Sequence, residues 1–367
     1  MKEKYLNKLE YNQILEILSQ YAVTHIGKDM CLLLRPFEES RNSQHALTET
    51  REASILLFRK STPPLSTISD ITVHLKALRA SSFLTAKQLL DLANILKISR
   101  ELKEYFSLDI GISDSFPIMD NYFNELYSNK SIEESIFSCI IDENTIDDKA
   151  SPELYKIRKQ QLKVSADIKE KLNSLLHSSK YSKFIQESIA TIRNGRYVIP
   201  VKAESRHEIK GFVHDISSTG STVFIEPISI FELNNELNNL KLDETIEIEK
   251  ILQKLSRLFS AITDELEISF SLIGKIDFAF AKAKYATSIN AVEPILNDSP
   301  FIELIDARHP LINPKSVVPI SVSIGKDFSS LIITGPNTGG KTVALKTIRL
   351  TFLHGNEWTF YSCKRKK

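Results

Sequence analysis

At 367 residues the chain is long enough for two or three domains, each with its own core. Its 42% hydrophobic and 25% charged residues are ordinary for a globular protein, and a net charge of +1 excludes a uniformly basic nucleic-acid binder, so any such surface is a local patch. Three scattered cysteines, Cys31, Cys139 and Cys363, form neither a disulfide framework nor a zinc-ligand spacing, which fits a reducing cytoplasm.

The amino-terminal stretch MKEKYLNKLEYNQILEIL is charged and then amphipathic, without the apolar core of a signal peptide. No run approaches the roughly 20 apolar residues of a membrane helix, so no membrane partner is expected. Glycine is scarce, at 11 residues, and Leu, Ile, Lys and Glu abound, so helix should dominate. Leu9, Ile14, Leu15 and Leu18 recur at helical spacing. From Leu84, LTAKQLLDLANILKISRELKEYF predicts a long amphipathic helix capped by Thr85 or the serines before it. SLDIGISDSFPIMD then reads as a connector.

A different texture begins at Ser151, where serine as N-cap and Pro152 at the first helical position mark a helix start. Ile157, Gln161, Val164, Ile168, Leu172 and Leu175 follow at three- and four-residue steps. A second run holds Leu233, Leu237, Leu240, Ile248, Ile251, Leu255, Leu258, Ile262 and Leu266. Heptad spacing in both points to two arms of an antiparallel coiled coil; helices of one bundle fit the same pattern.

Between the runs, RYVIPVKAESRHEIKGFVHDISSTGSTVFIEP alternates apolar and polar residues and predicts a small antiparallel sheet at the tip of the arms. It carries Arg193, Arg196, Lys202, Arg206, His207 and Lys210 against Glu204 and Glu208. Arg193, Arg196, Lys202, Arg206 and Lys210 are candidates for contact with a nucleic-acid backbone, because phosphate contacts come from such clusters; a solvated hairpin face is the alternative. Tyr197, Phe212 and Phe224 alternate with apolar residues as core positions do. After Pro300, the short apolar runs FIELIDA, VVPISVSIG and SSLIITG read as the first strands of an α/β domain.

Gly335, Pro336, Asn337, Thr338, Gly339, Gly340, Lys341 and Thr342 match G-x-x-x-x-G-K-[ST] in full, between a predicted strand, SLII, and a predicted helix, VALKTIRLTFL. A chance match in a chain this long is on the order of one in a hundred from average residue frequencies. The glycines let successive N–H groups point at phosphate oxygens, Lys341 reaches the β- and γ-phosphates, and the Thr342 hydroxyl is the Mg2+ ligand. The expected cofactors are therefore ATP and Mg2+. Hydrolysis also needs a carboxylate on a later strand and a group that orients water. No Asp follows Lys341, and Glu357 is too close in sequence to return on another strand, so no catalytic residue is assigned.

The order of helical core, paired arms with a small sheet, DARHPLI and LIITGPNTGGKT resembles the MutS family of DNA-repair ATPases. Thr338 and IRNGRYVIPVKAESRHEIKGFVHDISSTGSTVFIEP resemble its second bacterial branch, the MutS-two endonucleases. The resemblance implies a mainly α fold with an α/β start: a helical lever and core over 1–150, coiled-coil arms over 151–298 with a β-rich clamp tip at about 190–228, and an incomplete P-loop ATPase domain of the ABC class over 299–353. It also implies branched or mismatched DNA, or a stalled ribosome and its rRNA, as partners, and a homodimer in the family. The likeness ends at about Leu353, before the family's Walker B carboxylate and Smr nuclease domain. One permitted back-translation of HGNEWTFYSCKRKK, read one base on, gives MAMSGLFIPAKEK, which is similar to the family's continuation. This predicts a one-base insertion near codon 354 and an out-of-frame tail over 354–367. Such a chain would lack ATPase and nuclease activity and retain at most nucleotide-loop and weak nucleic-acid binding; a regulatory coiled-coil fragment that binds a partner or a full-length copy is the alternative. An SMC-like protein is disfavoured, since those place the loop before the coil.

Overall fold

The computed structural model describes residues 3–37, 39–107, 115–296, 301–313, 315–335 and 340–357. The chain is mainly helical and divides into two compact units, one of Met1–Ser81, Asp91–Glu133 and Phe259–Lys367, the other of Ser82–Leu90 and Glu134–Leu258. Among the described residues no helix is long and apolar enough to cross a membrane.

The first unit is built around the helix Thr263–Ser288. Leu272, Ile273, Ile276, Phe280 and Ala283 bury its several faces, and a helix apolar all round belongs inside a core. The helices His25–Leu32, Ser40–Lys60 and Pro117–Glu125 surround it. Gly274 sets the closest approach, because a Cβ there would stand 2.3 Å from Ile26 Cγ2. At the same crossing the buried Asp277 carboxylate accepts the backbone N–H of Val23 at 3.0 Å and of Thr24 at 2.7 Å, and the Thr24 hydroxyl at 2.7 Å. Thr24 in turn caps the His25–Leu32 helix by accepting from Gly27 N at 3.0 Å.

Cys31 lies fully buried on that helix. Burial first, and the Asp277 charge second, push its thiol up to about 12. The native chain is therefore expected to leave Cys31 unmodified by iodoacetamide at pH 8, while the partly exposed Cys139 is alkylated. Peptide mass spectrometry before and after urea checks this; alkylation of Cys31 in the folded chain at the rate of Cys139 would contradict it.

The connector predicted at 107–120 is helical from Pro117 onward, and residues 108–114 lie outside the described residues. Pro117 starts the helix, and Glu52 supplies the cap that the local sequence lacks. Its carboxylate accepts from Ile118 N at 3.0 Å and Met119 N at 2.9 Å.

In the second unit the helices Pro152–Leu176 and Ile228–Ser260 run antiparallel. Ser151 Oγ donates to Glu247, Arg158 Nε to Glu244 and Gln161 Nε2 to the Leu240 carbonyl, so partners descend on one helix as they ascend on the other. Val164, Ile168, Leu172 and Leu176 form a common core with Ile230, Leu237 and Leu240. Ser151 caps its helix as the sequence predicts, accepting from Leu154 N at 3.0 Å. Thr85 likewise caps the Ala86–Ser107 helix in a reciprocal box with Gln88.

The apolar run Leu233 to Leu266, expected as one arm, is two helices. Ile228–Ser260 ends at a corner where Ile262 N donates to the Phe259 carbonyl, and Thr263–Ser288 begins a separate helix of the first unit. Phe259, Ile262 and Leu266 are all buried, so the helical period continues through the corner and hides it.

The strands of this unit are β1 (Ile140–Asp142), β2 (Thr145–Ile146), β3 (Thr191–Arg193), β4 (Arg196–Lys202), β5 (Gly211–Ile216) and β6 (Thr222–Pro227). β1 and β2 are a small hairpin. The other four form an antiparallel sheet in the order β3-β4-β6-β5, within the stretch where the sequence predicts one. Asn194 and Gly195, at φ 50° and 79°, make the two-residue turn between β3 and β4, the backbone that an Asn-Gly pair favours. Ile199, Val201, Val223 and Ile225 bury one face of the sheet in the core of this unit, and Val198 is buried on the other face.

Candidate nucleic-acid interface and nucleotide loop

The cations predicted for phosphate contact fall into two groups. Arg196 is turned into the protein. Its guanidinium donates to the fully buried Glu226 at 2.7 Å and to Asn235 Oδ1 at 2.6 Å. Glu226 also meets His214 Nε2 at 2.5 Å and accepts from Asn234 Nδ2 at 2.7 Å, and Asn234 bonds both backbone groups of Tyr197. This network ties β4, β5 and β6 to the Ile228–Ser260 helix. Arg193 is exposed but engaged, 3.5 Å from Asp215 and 4.4 Å above the centre of the Phe224 ring.

The second group faces water. Arg206 and Lys210 are exposed in the turns between β4 and β5, and Arg206 Nε donates to the neighbouring His207 ring. Lys202, at the end of β4, extends its ammonium to the carbonyl of Lys183 at 3.2 Å. That bond brings in a segment not flagged from the sequence. Residues 183–186 lie along β4, with Ile185 opposite Val201 and Gln186 N donating to the Pro200 carbonyl. Lys180 and Lys183 are exposed there, each over its neighbouring ring, Tyr181 or Phe184. The lysine–aromatic pairs in KYSKF were the available signal.

In the first unit, the strands Ile302–Ala307 and Ile320–Ile324 pair antiparallel, and the helix Lys341–Glu357 follows the loop. That helix is anchored by Leu350, which is buried with Leu6, Leu9, Tyr11 and Ile14, and by a 2.8 Å ion pair between Lys346 and Glu10. His309, from DARHPLI, is buried, and burial holds its ring below the ordinary pKa; Leu311 N donates to its Nδ1 at 3.3 Å.

Of the predicted nucleotide loop, Gly335, Gly340, Lys341 and Thr342 are described, and Pro336 to Gly339 lie outside the described residues. Gly335 and Gly340 take φ of 138° and 77°, which non-glycine residues rarely adopt, and open space surrounds the position of a Cβ at either. Lys341 starts the helix and donates from Nζ to the Gly335 carbonyl at 2.5 Å, so its ammonium lies against the loop. Thr342 is exposed one residue on. The described part of the loop thus brings a cation and a hydroxyl, Lys341 and Thr342, beside two glycines in positive-φ backbone. Among the described residues no cluster of three His, Cys, Asp or Glu side chains that could hold a metal ion is present. The strand predicted over SLII does not form: Leu331 to Thr334 has no ladder partner, and Ile332 is 84% exposed. A strand of this type is held by neighbours on both edges, and none is found beside it among the described residues.

These features describe a mainly helical protein with small antiparallel sheets whose sequence carries a phosphate-loop signature. No family model matches the chain. Over 350 residues, 95% of its length, it is 44% identical to the endonuclease MutS2 of Acetivibrio thermocellus. It is 42% identical over 353 residues, or 96% of its length, to the endonuclease MutS2 of Clostridium botulinum strain ATCC 19397, and 42% identical over 350 residues to that of Ruminiclostridium cellulolyticum. The chain spans 44% of the length of each of these relatives. It belongs to the MutS-two branch of the MutS family.

Proposed function

We propose that this chain is the nucleic-acid-gripping and nucleotide-binding part of a MutS-two protein, with the β3–β6 sheet as the tip of a clamp. The observation that carries the reading is the division of the tip cations. Arg196 is spent on the Glu226 network that holds the sheet, while Arg206 and Lys210 are exposed; the half-buried Lys202 meets only the Lys183 carbonyl, and the exposed Arg193 rests on Phe224 and Asp215 at the edge. Phosphate oxygens of branched or mismatched DNA, or of ribosomal RNA, are the partners that such a surface accepts without reading sequence. ATP binds over Gly335 to Thr342 in the same reading, with Lys341 on the phosphates and Thr342 on Mg2+. This reading keeps the chain in the cytoplasm and does not require the family's homodimer.

Salt titration tests the proposal. Each duplex phosphate neutralised contributes about 0.9 to the slope of log affinity against log salt. Replacing Arg193, Lys202, Arg206 and Lys210 by Gln is expected to lower that slope by about 3.6 for a four-way DNA junction if each meets one phosphate. Lys341→Ala should leave the slope unchanged and abolish binding of a fluorescent Mg2+–ATP analogue. An unchanged slope in the fourfold variant would contradict the clamp assignment; unchanged nucleotide binding in Lys341→Ala would contradict the loop assignment.

A further inference from the structure

Alternation with apolar residues places Phe212, like Phe224, among core positions, yet Phe224 is 9% exposed and Phe212 52%. Both lie on the face of the sheet turned away from the core that Ile199, Val201, Val223 and Ile225 share. Phe224 belongs to the inner strand β6, and the Arg193 guanidinium covers it at 4.4 Å. Phe212 belongs to the edge strand β5, opposite Glu226, and among the described residues no cation lies over its ring.

The ring is nonetheless held. Its centre is 5.0 Å from that of the half-buried Phe231, with the planes tilted by 40°, and the Arg196 guanidinium carbon is 5.5 Å from the Phe231 ring centre. Arg196, Phe231 and Phe212 therefore form a chain of contacts that starts in the Glu226 network and ends on an exposed aromatic. Such a ring can take a planar partner at reduced entropic cost. Lys210 stands one strand period before it. The ladder continues past Gly211, because Ile228 N donates to the Lys210 carbonyl at 3.1 Å, so the exposed Lys210 and Phe212 leave the same face. An exposed aromatic beside a phosphate-binding cation is the pairing that holds single strands.

We propose that Phe212 stacks on an unpaired nucleobase of the strand whose phosphate Lys210 holds, so that the tip prefers nucleic acid with unpaired bases to continuous duplex. The inference rests on the clamp reading above and adds the base to the phosphate. Bases inside a duplex are stacked on both faces and offer the ring nothing.

Fluorescence anisotropy of the full chain with a labelled oligodeoxythymidine, an oligouridine and a DNA duplex of the same length tests this. Phe212→Leu keeps an apolar contact for Phe231 and loses the ring. It should weaken binding of the single strands by about fivefold or more and of the duplex by less than about twofold. Phe212→Trp should keep single-strand affinity, and its added indole fluorescence should be quenched as the oligodeoxythymidine binds; this variant decides if Phe212→Leu does not fold. A loss confined to the DNA or to the RNA strand supports stacking and identifies the strand it serves. An equal loss on duplex and single strands, no loss on either strand, or an unquenched indole would overturn the proposal. The Arg206→Glu, Lys210→Glu variant separates the two readings. If it binds all three nucleic acids unchanged, the clamp reading fails and stacking with it; if it binds them weakly while Phe212→Leu has no effect, stacking alone fails.

Discussion

Replacing Glu226 by Ala is expected to destabilise the sheet-bearing unit by about 3 kcal/mol, the range found when one partner of a buried ion pair is removed. The carboxylate is fully buried and has three side-chain partners on three elements: Arg196 on β4, His214 on β5 and Asn234 on the Ile228–Ser260 helix. Truncation leaves the arginine half-desolvated without its counter-ion and removes an acceptor from Asn234, which itself holds Tyr197 of β4. Amide exchange of β4 to β6, followed by mass spectrometry, should accelerate by about a hundredfold, since 1.4 kcal/mol corresponds to a factor of ten. Arg193→Ala makes the control. Its pair with Asp215 spans 3.5 Å between side chains both nearly half exposed, so its loss should cost less than about 1 kcal/mol.

Asp277→Ala carries the second large effect, in the other unit. Here a buried carboxylate serves two backbone N–H groups and a hydroxyl where the chain enters the His25–Leu32 helix. Each donor stranded in the interior costs roughly 1–3 kcal/mol, so a loss of about 3 kcal/mol or more is expected in urea unfolding of this unit. Thr24→Val removes the cap to Gly27 and one of the three donors, and should cost about half as much. A loss under about 1 kcal/mol for Asp277→Ala would mean that water replaces the carboxylate, contrary to the burial observed.

Much of the fold is written in local sequence. Ser151 with Pro152 marks one helix start and Thr85, or the serines before it, another; the structure caps the first with Ser151 and the second with Thr85. In the sheet between the helices Pro152–Leu176 and Ile228–Ser260, alternation and the short turns mark the strands and the pairs β3–β4 and β5–β6, whereas the pairing of β4 with β6 passes over β5. What the sequence conceals are decisions made at long range. The corner at Ala261–Ile262 keeps the apolar period intact and therefore reads as continuous helix. The strand expected over SLII depends on neighbours rather than on its own residues. Glu52 caps a helix 66 residues away, beyond any local signal.

The candidate site was legible in composition but not in partnership. Five cations stood out between the two helices, yet nothing in RYVIPV distinguishes Arg196, which is committed to Glu226, from Arg206, which faces water. The mark was the acid in VFIEP: a glutamate within an apolar strand requires a buried partner, and a nearby arginine is the natural one. Lys180 and Lys183 escaped notice because they approach the sheet from the end of the preceding helix, through a bridge between Ile185 and Val201.

Fluorescence anisotropy of a labelled four-way DNA junction, with a ribosomal RNA helix as competitor, tests the central claim most directly. The comparison is between the unaltered chain and an Arg206→Glu, Lys210→Glu variant whose charges are reversed at two exposed turn positions outside the Glu226 network. Reversal is predicted to weaken junction binding by at least tenfold at 100 mM salt, roughly the effect of removing two phosphate contacts and adding repulsion, with the helical spectrum unchanged. Equal affinity of the two proteins for both nucleic acids would show that the tip of the sheet is not the surface that holds them.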